Sequence, residues 1–296
     1  MIIVKYRFIF LSIAALMVLV SWGTIGYWGL NLGIDFTGGS VLEVSYPASR
    51  PDIATVKSAL TSINRDDVSV QPLGDDSYLM RAKTISVADK DTIVTAISAS
   101  GTPATVKRFD SIGPSIGAEL GTKALLAIGI VLLLIIAYIA FAFRKVTRPV
   151  ASWKYGLAAI IALAHDISIP TGLFAYLGHV RGTEVNALFL TALLAILGLS
   201  VSDTIVVFDR IRENLQKRVV NNFMDMVGVS LNQTFIRSLN TSLTILVALC
   251  SVYFFGGEST KDFALALIVG MAAGTYSSIF IASPLLVLFS GERKKA

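Results

Sequence analysis

Six runs of about 20 or more residues carry almost no charge, and that pattern leaves little choice of architecture: each run is long enough to cross a hydrocarbon core of about 30 Å as a helix. They cover 8–28, 122–143, 154–178, 184–207, 233–255 and 262–289, here named TM1 to TM6. Only 15% of the 296 residues are charged and the mean hydropathy is +0.71, which is too apolar for a water-soluble domain of this length. The fold class expected is a polytopic α-helical membrane protein.

Lys5 and Arg7 precede TM1, as in a signal peptide. The apolar run is longer than such a peptide needs, and Trp22, Tyr27 and Trp28 stand where small residues of a cleavage site belong. TM1 therefore reads as an uncleaved helix. Residues 29–121 differ in kind. From Asn31 to Gly121 there are 11 acidic and 8 basic residues, a net charge of −3, and no run can span a membrane. The pattern reads as strand 40–46, helix 51–63, strand 67–72, strand 77–83, helix 86–99 and strand 104–110. Pro51 suits a first helical turn, and Gly74-Asp75-Asp76 suits a tight turn between strands. The order β-α-β-β-α-β is the ferredoxin-like split arrangement, so one exported α+β domain is expected between TM1 and TM2.

Lys and Arg set the expected orientation. Lys5 and Arg7, then Arg144, Lys145, Arg148 and Lys154, then Arg210, Arg212, Lys217 and Arg218, and finally Arg293, Lys294 and Lys295 fall on one side; the opposite short loops hold Arg181 and Lys261. The positive-inside rule then places both termini, including the tail 290–296, in the cytoplasm and 29–121 outside it. The same loop bias accounts for the overall charge of +5, and no basic surface with interleaved aromatics points to nucleic acid. The single cysteine, Cys250, cannot form an intrachain disulfide or a cysteine-based metal site.

Polar residues inside the spans are the functional candidates, because a charge at membrane depth is expensive. Asp203 lies within TM4, three residues after Ser200 and on the same face. TM3 carries His165 and Asp166, with Pro170 four residues on removing a backbone donor; a hydrogen-bonded packing cluster explains this group as well as a functional one. In TM5, Arg237, Asn240, Thr241 and Thr244 fall at i, i+3, i+4 and i+7, a stripe expected to face the bundle. Asp203 and Arg237 each sit near the cytoplasmic end of adjacent antiparallel helices, so pairing between them is expected, with Asp203 able to carry a proton. The stripe Gly270, Gly274 and Ser278 on TM6 reads as plain close packing. TM2 has no polar residue from Ala124 to Ala137 and reads as lipid-facing. No H-E-x-x-H and no phosphate loop is present, which argues against a metalloprotease and against direct use of ATP; no enzyme activity and no cofactor beyond a proton gradient is expected.

GIDFTGG at Gly33–Gly39, IGPSIGAEL at Ile112–Leu120, VSDTIVVFDRIREN at Val201–Asn214 and NQTFIRSLNTSLT at Asn232–Thr244 together resemble the SecF family of the bacterial SecDF protein-export complex, within the RND superfamily. The resemblance spans nearly the whole chain. It implies half of a twelve-helix unit completed by SecD, and use of the proton-motive force to draw preproteins from the SecYEG channel after the SecA motor, with YajC as a further associate, in the bacterial inner membrane. It also implies that Asp203 and Arg237 are the charged pair tied to proton flow, with Asp166 a weaker correspondence. The competing reading is an RND-type exporter of a small solute or lipid, for which the domain 29–121 is small.

Overall fold

The computed structural model describes residues 2–47, 50–98, 102–144 and 150–291; Lys145, Arg148, Arg293, Lys294 and Lys295, used above for orientation, lie outside them. The chain forms two compact units, Leu32–Leu125, and Met1–Asn31 together with Leu126–Ala296.

The smaller unit contains four strands, β1 (Gly39–Ser45), β2 (Ser69–Leu73), β3 (Ser77–Ala82) and β4 (Thr105–Ile112), in the spatial order β2-β3-β1-β4 with every neighbouring pair antiparallel. This is the ferredoxin-like topology. Alternate residues Leu42, Val44 and Tyr46, with Tyr78 and Met80 on β3 and Val68 and Val70 on the approach to and start of β2, point to one buried face. Helix Ile53–Ser62 covers that face with Val56 and Leu60, and helix Val87–Ser98 with Ile93 and Ile97, each pair one turn apart. One local expectation needs adjustment. Pro51 precedes the first helix instead of entering it: Asp52 is the N-cap and its Oδ1 accepts from the Ile53 amide at 2.8 Å, while the Pro51 carbonyl accepts from the Tyr78 hydroxyl at 2.6 Å. The β2–β3 turn is as read, with Gly74 at φ 59°.

The GIDFTGG and IGPSIGAEL segments meet inside this unit. Gly38 and Gly39 have φ of 72° and 134°, a region that disfavours side chains, and a Cβ on Gly38 would lie 2.6 Å from the Pro114 Cα. A Cβ on Gly117 would lie 2.5 Å from the Gly38 nitrogen. Both glycine sets are thus demanded by one backbone-to-backbone contact.

The second domain helix starts with a reciprocal cap. The Ser86 amide and hydroxyl donate to Asp89 Oδ2 at 3.0 and 2.9 Å, and the Asp89 amide donates to Ser86 Oγ at 3.1 Å. These donors, the Ser86 amide foremost and Arg65 after them, hold the Asp89 carboxyl below its ordinary value of 3.8. A depressed folded-state value means the stabilisation is complete above 3.8 and disappears as pH falls through the folded value. In the excised domain, Asp89→Asn is therefore expected to lower the melting temperature at neutral pH, and the gap to wild type should close as the solution is acidified below pH 3.8. Thermal melts by circular dichroism across that range check it; a gap independent of pH would contradict the cap.

In the larger unit, TM1 is Arg7–Trp28, TM2 ends at Ala142 in the helix Pro114–Ala142, TM3 is Ser152–Arg181, TM4 is Ala187–Lys217 and TM5 is Phe223–Phe255. TM6 runs from Glu258 to Ser277, makes one π turn over Ser278–Ala282, and continues as α-helix to Ser290. All six are long and apolar enough to cross a membrane. TM4 and TM5 each extend about ten residues beyond the apolar run, because the charged segment is itself a good helix: Asp209 pairs with Arg212, and Glu213 with both Arg210 and Lys217, at helical spacing. Asn214 then ties the two extensions together, its Nδ2 donating to Ser230 Oγ at 2.8 Å and to Gln233 Oε1 at 2.9 Å.

TM3 and TM6 are the most enclosed helices, while Leu126, Leu133 and Leu134 of TM2 are exposed, as its composition suggested. TM3 continues as one helix through Pro170. TM1 presses on it so closely that a Cβ on Gly172 would lie 2.5 Å from the Ser21 Cα, and Trp22 Nε1 and Thr24 Oγ1 donate to Ser168 Oγ and the Gly172 carbonyl. Gly270 and Gly274 of TM6 admit Ile196 and Ser200 of TM4 in the same way. These contacts bring the polar positions of TM3, TM4 and TM6 to one level.

Candidate functional site

Two carboxylates occupy the seam between TM3, TM4, TM5 and TM6. Asp166 is fully buried. Its Oδ2 accepts from Ser200 Oγ of TM4 at 2.5 Å and from Ser277 Oγ of TM6 at 2.8 Å, and its Oδ1 lies 3.0 Å from His165 Nδ1. His165 is 3% exposed, its ring stacks on Tyr276, and its Nε2 has no partner among the described residues. Asp203 is half-buried; Oδ1 accepts from Ser238 Oγ of TM5 at 2.6 Å and Oδ2 from Ser278 Oγ of TM6. Among the described residues no lysine or arginine touches either carboxylate.

The expected contact between Asp203 and Arg237 is therefore not made within this chain. Arg237, Asn240, Thr241 and Thr244 are exposed, and the stripe faces away from the other five helices. Arg237 has no hydrogen bond or ion pair among the described residues. The inward face of TM5 is instead Ser230, Thr234, Ser238 and Ser242, four residues apart and all buried. TM5 has two polar stripes. The expectation from sequence rests on the charged stripe, but the stripe of small hydroxyls is the one that packs against TM4 and TM6, since small residues allow close approach of helices. Every one of these hydroxyls satisfies itself or a neighbour: Ser230 and Thr234 bond back to the carbonyls of Met226 and Ser230, Ser238 reaches Asp203, and Ser242 accepts from Thr275 of TM6 at 2.7 Å.

Ser238, Ser277 and Ser278 are the site residues that sequence reasoning missed. The four-residue spacing of hydroxyls on TM5 was a usable signal. For TM6 the signal was weaker: Ser278 was read as part of a packing stripe, and the π turn that begins there gives it a second function. A π turn inserts one extra residue into the helical repeat, and Ser278 is the residue with which it starts. Consecutive hydroxyls, Ser277 and Ser278, reach different carboxylates.

Chemically, a carboxylate held only by hydroxyls can gain or lose a proton without breaking a salt bridge, since a hydroxyl donates to the anion and accepts from the acid. The arrangement is suited to holding a proton at either carboxylate.

Residues 92–292 match the family described as protein export membrane protein SecD/SecF, C-terminal, and residues 29–46 match the SecD/SecF GG motif, which contains the Gly38–Gly39 turn. The protein translocase subunit SecF of Thermobaculum terrenum is 40% identical over 98% of this chain and 94% of its own length. The chain belongs to the SecF family. The SecF subunit of Anaerolinea thermophila is likewise 40% identical, over 97% of this chain and 93% of that protein. Among solved structures, the translocon-associated membrane protein SecDF of Thermus thermophilus superposes with a TM-score of 0.84 at 32% identity, covering 98% of this chain. SecDF in its super-membrane-facing form gives a TM-score of 0.67 at 34% identity. This chain spans 38% of either SecDF chain, so it corresponds to one part of that longer protein.

Proposed function

We propose that this SecF-family chain is a proton-motive-force-coupled subunit of the Sec preprotein translocase, acting with SecD in the late stage of translocation and in release. The observation that carries the reading is Asp203, a carboxylate at membrane depth that is held by two hydroxyls and by no cation. Such a group is costly unless its ionisation is used. SecD is the partner proposed for the exposed polar stripe of TM5, since the longer SecDF chain contains what this one lacks. SecYEG, SecA, YajC and preprotein chains are the wider partners; on this reading both termini lie in the cytoplasm and the α+β domain outside it, which the Lys/Arg asymmetry supports, and the membrane is the bacterial inner membrane, as the family resemblance implies.

On this reading no organic cofactor is needed, and moving one charge through the full membrane potential supplies roughly 2.3 kcal/mol per 100 mV. Several protons per cycle would bias a two-state helix bundle, and the exported domain would follow. The test is late preprotein release from inverted vesicles with the proton gradient present or collapsed by an uncoupler. Vesicles carrying this chain with SecD should show gradient stimulation, and vesicles depleted of this chain should show none. Equal stimulation in both would remove the proposal.

A further inference from the structure

Asp166 has no role in the mechanism above, yet it is the most enclosed carboxylate among the described residues of the membrane unit, and it adjoins Asp203 through two separate helices. On TM4, Ser200, which donates to Asp166, precedes Asp203 by three residues, about 4.5 Å along the axis. On TM6, Ser277 donates to Asp166 and the next residue, Ser278, donates to Asp203. The two acids are thus joined by a pair of residues on TM4 and by a pair on TM6, at the step from α-helix into the π turn. Building on the proton-coupling reading, we infer that Asp166 and His165 form a second proton-holding site, and that the Ser277–Ser278 step of TM6 makes its charge state depend on that of Asp203.

The geometry at Asp166 requires a shared proton. Oδ1 and Nδ1 are 3.0 Å apart, and two lone pairs at that distance would repel, so a hydrogen lies between them, carried either by Nδ1 or by the acid. His165 Nε2, buried and without a partner among the described residues, is the position left open. With Nδ1–H facing an ionised Asp166 the pair has charge −1. One added proton makes it neutral, either on the carboxyl or on Nε2 to give an imidazolium beside the carboxylate. The groups facing this pair are His165 itself on TM3, the Ser200 hydroxyl on TM4, and Ser277 and Tyr276 on TM6. The Tyr276 hydroxyl is turned away, donating to the Phe10 carbonyl of TM1 at 2.8 Å. None of these compensates a second negative charge one turn from Asp203. Two like charges so placed in a medium of low polarity do not ionise independently.

The measurement is infrared difference spectroscopy of the full chain with SecD in lipid vesicles, following the protonated-carboxyl stretch through a pH titration. Against the background of the chain's other carboxyls, the wild-type spectrum minus that of each Asn variant should isolate one titrating band for each of the two sites. Asp166→Asn should remove one and move the midpoint of the other by about one pH unit or more, roughly a tenfold change in proton affinity. Asp203→Asn should do the reverse. Ser277→Ala keeps both acids, removes one donor, and should shift the frequency of the Asp166 band and the midpoints of both. A spectrum in which Asp166→Asn removes neither a titrating carboxyl band nor a titrating imidazolium ring band overturns the inference, and so does an Asp203 midpoint that neither Asp166→Asn nor Ser277→Ala moves. If both bands titrate as a coupled pair while Asp203→Asn leaves gradient-driven export untouched, the pair stands and the export reading falls.

Discussion

Asp203→Asn is expected to abolish the proton-gradient-dependent late stage of export while leaving ATP-driven early translocation at its wild-type rate. The substitution keeps shape and volume. The amide oxygen still accepts from one serine, and the amide nitrogen replaces the second acceptor with a donor, so Ser238 or Ser278 must turn to another acceptor. Ser278 already has the Thr275 carbonyl within 3.2 Å, which makes that adjustment available without unfolding TM6. What the amide cannot do is titrate, and with no ionisation there the potential has no charge to move. The comparison is preprotein release from inverted vesicles with and without a gradient, at matched levels of this chain and of SecD. Wild-type release under a gradient would show that Asp203 is a structural charge only.

Arg237→Met is the second substitution with a large expected effect, and its signature is a split between the isolated chain and the complex. Arg237 lies about one turn inside the apolar part of TM5, is exposed, and has no partner among the described residues. An arginine within a span is unfavourable, by roughly 2.5–3.5 kcal/mol at the centre and less towards the ends, so methionine should leave the isolated chain as stable as wild type or more so. Asp203 would not be stranded, because Ser238 and Ser278 hold it in this chain. The damage is expected at the face that Arg237 shares with Asn240, Thr241 and Thr244: recovery of SecD in a membrane pull-down should fall severalfold, and gradient-dependent release should fall with it. Undiminished SecD recovery with undiminished release would show the stripe to be idle, whereas a destabilised isolated chain would place Arg237 in the fold.

Much of the architecture was present in the order of residues because it depends on local physics. Hydropathy alone delimits six spans, since no other solvent accepts runs of that length. Period-two alternation at Leu42, Val44 and Tyr46 and four-residue spacing at Val56–Leu60 and Ile93–Ile97 specify the domain's strands and helices, and a split βαβ order leaves few ways to pair them. Ends of elements were less legible. Nothing apolar marks where TM4 stops, because its last ten residues are held by ion pairs and by Asn214, whose partners lie 16 and 19 residues away.

Depth in the membrane could be read from the chain, and with it Asp166, Asp203 and Arg237 as residues needing an explanation. Direction could not. One residue is a rotation of 100° on a helix, so Arg237 and Ser238 face opposite environments at the same depth, and only the packed bundle decides which of them meets Asp203. The partners of TM6 are decided the same way: Ser277 and Ser278 are adjacent in the chain, and the packing of TM6 against TM3 and TM4 sends them to two different acids. The sequence by itself determined that charge lies within the membrane; the tertiary structure alone determined which groups hold it, because a polar side chain at that depth must find its partner across helices.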